Sequence, residues 1–132
     1  MASVVKEIRV AATPDAAWEA IRDIGALHTR LVPGFVIDTQ VEEGRAARLV
    51  TFVNGMVVRE PIVTLDEARR RLVWSAEGGR TTHYNASVQV FPDGAGAKVM
   101  WTADFLPHAA KDAIEAAMTA GVAAMKKALS AP

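Results

Sequence analysis

Hydrophobic and polar residues alternate along most of the chain, which is the pattern of half-buried strands. A first strand is predicted between Val4 and Val10, where one face is wetter than the other. From Phe35 to Phe105, short apolar runs are separated by turn residues such as Asn54-Gly55, which tolerate the positive φ of tight hairpins. We therefore expect six more strands, each antiparallel to the next, over 35–42, 46–54, 56–66, 71–77, 82–91 and 97–106.

The pattern predicts helices in two places, after the first strand and at the end of the chain. Thr13 is a suitable N-cap and Pro14 suits the first helical turn. A short helix is therefore expected over about 14–22, followed by a second helical turn over about 24–30. The end of the chain is rich in alanine, and its apolar residues recur at steps of three and four over about 108–130. This spacing predicts a long helix with one apolar stripe.

The order of these elements predicts the fold class. Helices that are set apart from an antiparallel sheet are typical of α+β proteins. We expect a strongly curved, seven-stranded antiparallel sheet around one long C-terminal helix, with two short helices after the first strand. No repeat, low-complexity tract or linker-like change of composition divides the chain, so residues 1–132 are expected to form a single domain.

Composition argues against several classes of function. Fifteen basic residues balance fifteen acidic residues, so no net charge favours nucleic acid. The chain has no cysteine, and His28, His83 and His108 lack the spacing of a metal motif, so we expect no metal and no other cofactor. No apolar run reaches the roughly 20 residues of a membrane span. The N-terminus does not have the pattern of a signal peptide, and a cytoplasmic location is expected.

The composition of the last helix predicts empty space beneath it. Twisted antiparallel strands present a large concave face, whereas the helix offers mainly alanine, glycine, valine and methionine. Small side chains do not fill a deep sheet, and large apolar cavities in proteins usually serve ligands. Met118 and Met125 adapt to varied shapes, although methionine is also an ordinary core residue. We therefore expect an apolar pocket between the sheet and the helix.

Several spaced motifs resemble one known superfamily. They are Ala12-x-Pro14-x-x-x-Trp18-x-x-Ile21-x-Asp23, Gly55-x-x-x-x-Glu60, Arg71-Leu72-x-Trp74, Tyr84 and Gly96-x-x-Val99-x-Trp101-x-x-x-Phe105-x-Pro107. Together they resemble the START-like superfamily, the helix-grip group also described as SRPBCC or polyketide cyclase/dehydrase-like, over essentially the whole chain. The resemblance implies a helix-grip fold with an internal cavity.

The central strands are also similar to those of plant abscisic-acid receptors. The closest segments are Trp74-Ser75-Ala76-Glu77-Gly78-Gly79 and His83-Tyr84-Asn85. The His-Arg-Leu latch of that family is replaced here by Arg80-Thr81-Thr82-His83. Its Ser-Gly-Leu-Pro gate is only weakly similar to Asn54-Gly55-Met56. The resemblance therefore implies a cavity without hormone-dependent gating.

Strand alternation and the resemblance together select the side chains that face this cavity. The expected ligand-binding residues are Val50, Phe52, Val58, Glu60, Ile62, Trp74, Ala76, Tyr84, Ala86, Val88, Val99, Trp101, Ala103, Phe105, Met118, Val122 and Met125. The two polar members of this set, Glu60 and Tyr84, are candidates for a catalytic role. No residue is assigned such a role firmly.

Each polar candidate has a functional and a structural interpretation. A buried carboxylate at Glu60 is costly without a partner, so it suits a ligand anchor or a general base. Alternatively, Glu60 lies at the rim of the sheet and pairs with Arg48 or Arg59. The hydroxyl of Tyr84 contacts a ligand or internal water, or else it belongs to a core tyrosine bonded to the backbone.

These features favour binding of a small hydrophobic molecule, such as a lipid, an isoprenoid or a polyketide-like compound. One alternative is an enzyme of the polyketide cyclase or dehydratase type, in which Glu60 moves protons and Tyr84 polarises a carbonyl. Another alternative is a regulatory subunit that docks on a protein partner. We expect a monomer or a homodimer, with no nucleic-acid partner and no membrane span.

Overall fold

The computed structural model describes residues 1–130, which contain seven antiparallel strands in one curved sheet. The strands are β1 (Ala2–Val10), β2 (Val36–Val41), β3 (Ala47–Phe52), β4 (Val57–Asp66), β5 (Arg71–Ser75), β6 (His83–Asp93) and β7 (Gly96–Leu106). Their ends differ from the predicted ends by at most two residues. The order across the sheet is β1-β7-β6-β5-β4-β3-β2, so β1 and β2 form its edges.

Two α-helices accompany the sheet, α1 (Pro14–Arg22) and α2 (Lys111–Ser130). The hydroxyl oxygen of Thr13 caps α1 by accepting the backbone N–H of Ala16 at 3.2 Å. The second helical turn expected over 24–30 is a π-helical turn at Leu27–Leu31. Neither helix is long and apolar enough to cross a membrane, within the part of the chain that the structure describes. The predicted α+β helix-grip fold is thus confirmed.

Helix α2 lies along one side of the concave face. It packs more closely on β1 than on any other strand, and the backbone N–H of Ala12 donates to the carbonyl of Leu129 at 3.0 Å. At Gly121 the helix meets the sheet, because a Cβ there would lie 2.7 Å from Cζ3 of Trp101. Strands β3, β4 and β5 have no comparably close contact with α2.

The segment between β1 and β2 crosses from one edge of the sheet to the other. Helix α1 packs on β6, β7 and the π-helical turn, and that turn also contacts β2 and α2. This segment therefore bridges the space beside α2. It forms a second wall opposite the uncovered strands.

Candidate functional site

A cavity of about 270 Å³ lies between the concave face of the sheet and α2. Val50, Val58 and Trp74 from β3, β4 and β5 contribute to its floor. Met118 and Met125 line it from α2, and the π-helical turn closes the side. The volume is just below the roughly 300–1,000 Å³ range of pockets that hold small molecules. The expected pocket between sheet and helix is therefore present as a geometric feature.

Most of the residues selected from the sequence line this cavity. They are Val50, Phe52, Val58, Glu60, Trp74, Ala76, Tyr84, Val88, Trp101, Met118 and Met125. The strand residues in this set lie at every second position of their strands, because every second side chain of a strand points to the same face.

Six selected residues do not line the cavity: Ile62, Ala86, Val99, Ala103, Phe105 and Val122. The four on β6 and β7 belong to the solid core and are at most 2% exposed, because the helices cover that part of the sheet directly. Ile62 lies instead in a shallow polar groove beside Arg22, where the register of β4 shifts. Val122 packs on the flank of the core. The expected position of these six residues is corrected accordingly.

Several lining residues lie outside the strands and were missed by the sequence analysis. Ile21 lies in the last turn of α1, Leu27 and Leu31 belong to the π-helical turn, and Phe35 precedes β2. A long-range packing contact places each of them, and alternation along a strand carries no information about such contacts. Arg48 is different, because it has the same parity as Val50 on β3 and could have been recognised as inward-facing.

The cavity contains one buried ion pair. Nε of Arg48 donates to Oε1 of Glu60 at 2.9 Å, and the two residues are directly opposite on β3 and β4. Arg48 is 1% exposed and Glu60 is 7% exposed. A second guanidinium nitrogen, Nη1, donates to the carbonyl of Ile24 at 3.3 Å, and the guanidinium carbon lies 5.4 Å from the centre of the Trp74 ring.

The pair combines two alternatives that the sequence left open for Glu60. The carboxylate faces the cavity and it is also paired with Arg48. The other possible partner, Arg59, alternates to the outer face, where it forms ion pairs with Glu42 at 2.7 Å and Glu77 at 3.1 Å. Glu60 is therefore an inward carboxylate with a charge partner, and not a residue of the rim.

Burial dominates the acidity of the polar groups in the cavity. Loss of water raises the pKa of Glu60 above its ordinary value, although the charge and hydrogen bond of Arg48 oppose this shift. Loss of water also raises the pKa of the Tyr84 phenol, and the nearby Glu60 carboxylate raises it further. Tyr84 consequently remains a neutral hydroxyl and a hydrogen-bond donor at physiological pH. Its ring stacks on Phe105 with centroids 6.3 Å apart.

The indole N–H groups of two tryptophans are buried beside the other polar groups of the cavity. Nε1 of Trp74 lies close enough to the Glu60 carboxylate to oppose the rise of its pKa, and Nε1 of Trp101 has the same relation to the Tyr84 phenol, although neither contact has the geometry of a full hydrogen bond. Both side chains line the cavity. By contrast, Nε1 of Trp18, outside the cavity, donates to Glu67 at 2.8 Å.

Two turns complete the cavity wall. The β3–β4 turn contributes Asn54 and Met56, and the β5–β6 connection contributes Gly78, Gly79 and Arg80. Both glycines have positive φ, which other residues rarely adopt.

The three histidines lie elsewhere, and the described residues contain no group of three side chains suited to a metal ion.

The fold is shared with several solved structures. XoxI from Bacillus cereus is 19% identical with a TM-score of 0.87, and the match covers 98% of this chain and 96% of that chain. The di-domain ARO/CYC BexL from the BE-7585A biosynthetic pathway is 19% identical with a TM-score of 0.82, over 96% of this chain and 46% of that chain. Norcoclaurine synthase from Thalictrum flavum is 22% identical with a TM-score of 0.73, over 97% and 83%. At these identities the similarity shows the fold alone.

A comparison with family models adds information from the sequence itself. No curated protein matches the chain. The family model described as "Polyketide cyclase / dehydrase and lipid transport" matches residues 1–130, which is nearly the whole chain. The resemblance found in the spaced motifs is thereby confirmed. The chain belongs to the polyketide cyclase/dehydrase and lipid transport family.

Proposed function

We propose that this protein binds a small hydrophobic molecule in the cavity between the sheet and α2. The proposal rests on the lining of this cavity. The lining is apolar apart from the Arg48–Glu60 pair, a few groups around it and the two turns of the cavity wall. Transfer of apolar ligand surface from water contributes roughly 25 cal/mol per Å². Membership of a family described by lipid transport and polyketide chemistry supports the same function.

The polar groups of the cavity would orient the ligand. Glu60 and Tyr84 lie in the same cavity, close enough for the carboxylate to raise the pKa of the phenol. A few precisely placed polar groups in an apolar pocket are the usual source of ligand orientation. We therefore assign orientation to Glu60 and Tyr84, and burial energy to the surrounding apolar side chains.

Binding can be tested with N-phenyl-1-naphthylamine, a neutral probe whose fluorescence rises in apolar sites. Wild-type protein should bind the probe with saturation at one equivalent, and native mass spectrometry of freshly purified protein should reveal a retained small molecule. Ala76→Trp places a large side chain in the cavity and should abolish probe binding. Ala123→Trp, on the exposed side of α2, is the matched control and should bind normally. Absence of both probe binding and a retained molecule would contradict the proposal.

A catalytic role is the second candidate, and the buried Glu60 is the observation that favours it. A carboxyl whose pKa is raised by burial keeps its proton to a higher pH than an exposed carboxyl, which suits it to proton transfer. The cyclase names of the family and of BexL are compatible with such chemistry. If the molecule retained on purification is converted to a product, Glu60→Gln should stop the conversion while the molecule still binds. Equal loss of binding and conversion would argue against the general base.

A further inference from the structure

Exposed apolar side chains gather on the outer face of the sheet where β2, β3 and β4 lie side by side. Val53, Val57 and Ile37 are 62%, 55% and 53% exposed. Val57 pairs across the sheet with Thr51, and Val53 donates its backbone N–H to the carbonyl of Phe35, close to Ile37. The three side chains are therefore neighbours, and we refer to them as the outer patch.

The outer face of β6 and β7 has a different composition. Its outward residues include Ser87, Gln89, Thr102 and Asp104, and Leu106 at the end of β7 is the one large apolar side chain of these two strands that is exposed. Isolated apolar residues are common on protein surfaces, whereas contiguous ones mark interaction sites. The outer patch is therefore a surface that another molecule can cover.

Two charged residues, one on each side of the outer patch, lack a counter-charge. Asp38 lies on β2, and its carboxylate accepts from the side-chain amide of Gln40 at 3.1 Å. Arg80 lies in the β5–β6 connection. Neither residue forms an ion pair within residues 1–130. Arg59 on the intervening strand β4 is already paired with two carboxylates. An anion thus lies on one side of the patch and a cation on the other.

A second copy of the chain matches this arrangement. Asp38, Thr51 and Val57 form one row across β2, β3 and β4, whose strands are about 4.8 Å apart. Beyond Val57 the row reaches the β5–β6 connection at Gly78. A two-fold axis that runs parallel to the strands, between β3 and β4, makes this row face the same row of the second copy in reverse order. Asp38 then faces the connection that carries Arg80, and this contact occurs twice.

The same charges argue against a lipid surface as the occupant. The charged residues around the outer patch are the two cations Arg59 and Arg80 and the three anions Asp38, Glu42 and Glu77, which leaves one net negative charge. An anionic bilayer would be repelled by this surface. An interface between two copies uses the unpaired charges of both signs.

We propose that the outer patch is the interface of a homodimer, in which Asp38 of each copy pairs with Arg80 of the other copy around an apolar centre. Val53 and Arg80 also line the cavity. Each copy therefore brings its Asp38 to the edge of the other copy's cavity. The inference does not depend on what the cavity binds.

Exchange of the two charges tests the pairing. Sedimentation equilibrium of wild-type protein should show a monomer–dimer equilibrium. Asp38→Arg and Arg80→Asp each place like charges opposite one another at two symmetric positions, so each should raise the dimer dissociation constant at least tenfold. The double variant Asp38→Arg/Arg80→Asp restores opposite charges in exchanged positions and should return the constant to within about threefold of wild type. Loss of folding cannot produce such a rescue.

Substitution of an apolar residue tests the centre of the interface. Val57→Asp places a carboxylate in the outer patch and should abolish the dimer. Val63→Asp is the matched control, because Val63 lies on the same strand, is 57% exposed and lies outside the patch. This control should form the dimer as wild type does. Circular dichroism establishes that each variant is folded.

Three outcomes would overturn the inference. The first is a wild-type protein that stays monomeric at every concentration measured, which is decisive even if a variant does not fold. The second is a dimer whose dissociation constant is unchanged in both Asp38→Arg and Arg80→Asp. The third is a monomer that sediments with phosphatidylcholine vesicles and loses this property in Val57→Asp, which would make the outer patch a membrane contact. None of these results changes the outcome of the N-phenyl-1-naphthylamine titration, so the proposed function is tested separately.

Discussion

The concave face of the sheet has two halves that differ in how they are filled. On β6 and β7, the inward residues Ala86, Val99, Ala103 and Phe105 are at most 2% exposed and belong to the solid core. Only Tyr84, Val88 and Trp101 of these two strands border the cavity. On β3, β4 and β5, inward residues such as Val50 and Val58 line a cavity of about 270 Å³. We refer to these as the packed half and the hollow half.

The difference arises from what covers each half and not from the strands themselves. Both halves have alternating inward and outward residues, and both are antiparallel. Helix α2 lies nearest β1, and α1 packs on β6 and β7, so side chains fill the packed half. The hollow half faces the π-helical turn and the methionines of α2 across a gap. The cavity is created here by the position of the elements that cover the sheet.

The largest expected effect concerns the charges of the hollow half. Glu60→Leu leaves the Arg48 guanidinium buried without a counter-charge, which should lower the free energy of unfolding by about 3–5 kcal/mol. The double variant Arg48→Met/Glu60→Leu removes both charges and should recover most of this loss. Urea denaturation of the three proteins measures both quantities. A double variant as unstable as Glu60→Leu would show that the pair is not an isolated charge unit.

Two phenylalanines, the fully buried Phe105 and the half-buried Phe52, compare the packing of the two halves. Phe105→Ala in the packed half opens a new cavity and should cost about 3–5 kcal/mol. Phe52→Ala enlarges an existing space and should cost roughly 2 kcal/mol less, because fewer packing contacts are lost. Equal losses in urea denaturation would contradict the division into a packed and a hollow half.

A smaller effect is expected where α2 touches Trp101 of β7. Gly121→Ala places a methyl group against Trp101 and Phe35, and overpacking of this kind costs about 1–3 kcal/mol. Trp101→Phe shortens the ring that the methyl group meets. The double variant should therefore be more stable than the sum of the single effects predicts, and a double-mutant cycle measures this coupling. Additive effects would show that the helix adjusts freely at Gly121.

The smallest effect is a change in the pH dependence of stability. The raised pKa of Glu60 means that the folded state binds its proton more tightly than the unfolded state does. The free energy of unfolding of wild type should therefore fall, relative to Glu60→Gln, as pH rises from the ordinary carboxyl pKa of 4.5 towards the raised value. Glu42, Asp66 and Glu67, whose pKa values are lowered, act in the opposite direction in both proteins and cancel in the difference. A difference that grows in the other direction would contradict the shift.

Local chemistry was sufficient to predict the elements of the fold. Alternation located the strands, Thr13 and Pro14 located the start of α1, and the alanine-rich spacing located α2. The residues that face inward on each strand could also be predicted, because side chains in a strand alternate regardless of distant contacts. These predictions depend on residues that are close in sequence.

The cavity could be predicted only in part, because its extent depends on the position of the covering helices. Val99 and Phe105 were expected at the cavity for the same reason as Trp101, but the core encloses them. The sequence offered Arg48 and Arg59 as partners of Glu60, and the choice of Arg48 needed the register between β3 and β4. The contribution of Leu31 needed the path of the π-helical turn. Neither feature has a local signature.

The position of β1 at an edge of the sheet has a consequence for how the chain acquires its structure. β1 precedes the other six strands of the sheet in sequence, yet its partner is β7, so that Val4 pairs with Ala103, about a hundred residues later. Strands β2 to β6 pair with their neighbours in sequence through short connections. Because closing a long loop is slow, we expect the hairpins to form early and the pairing of β1 to come late. Strands β2 to β7 would then be paired first, and completion of the sheet would wait for β1 to pair with β7.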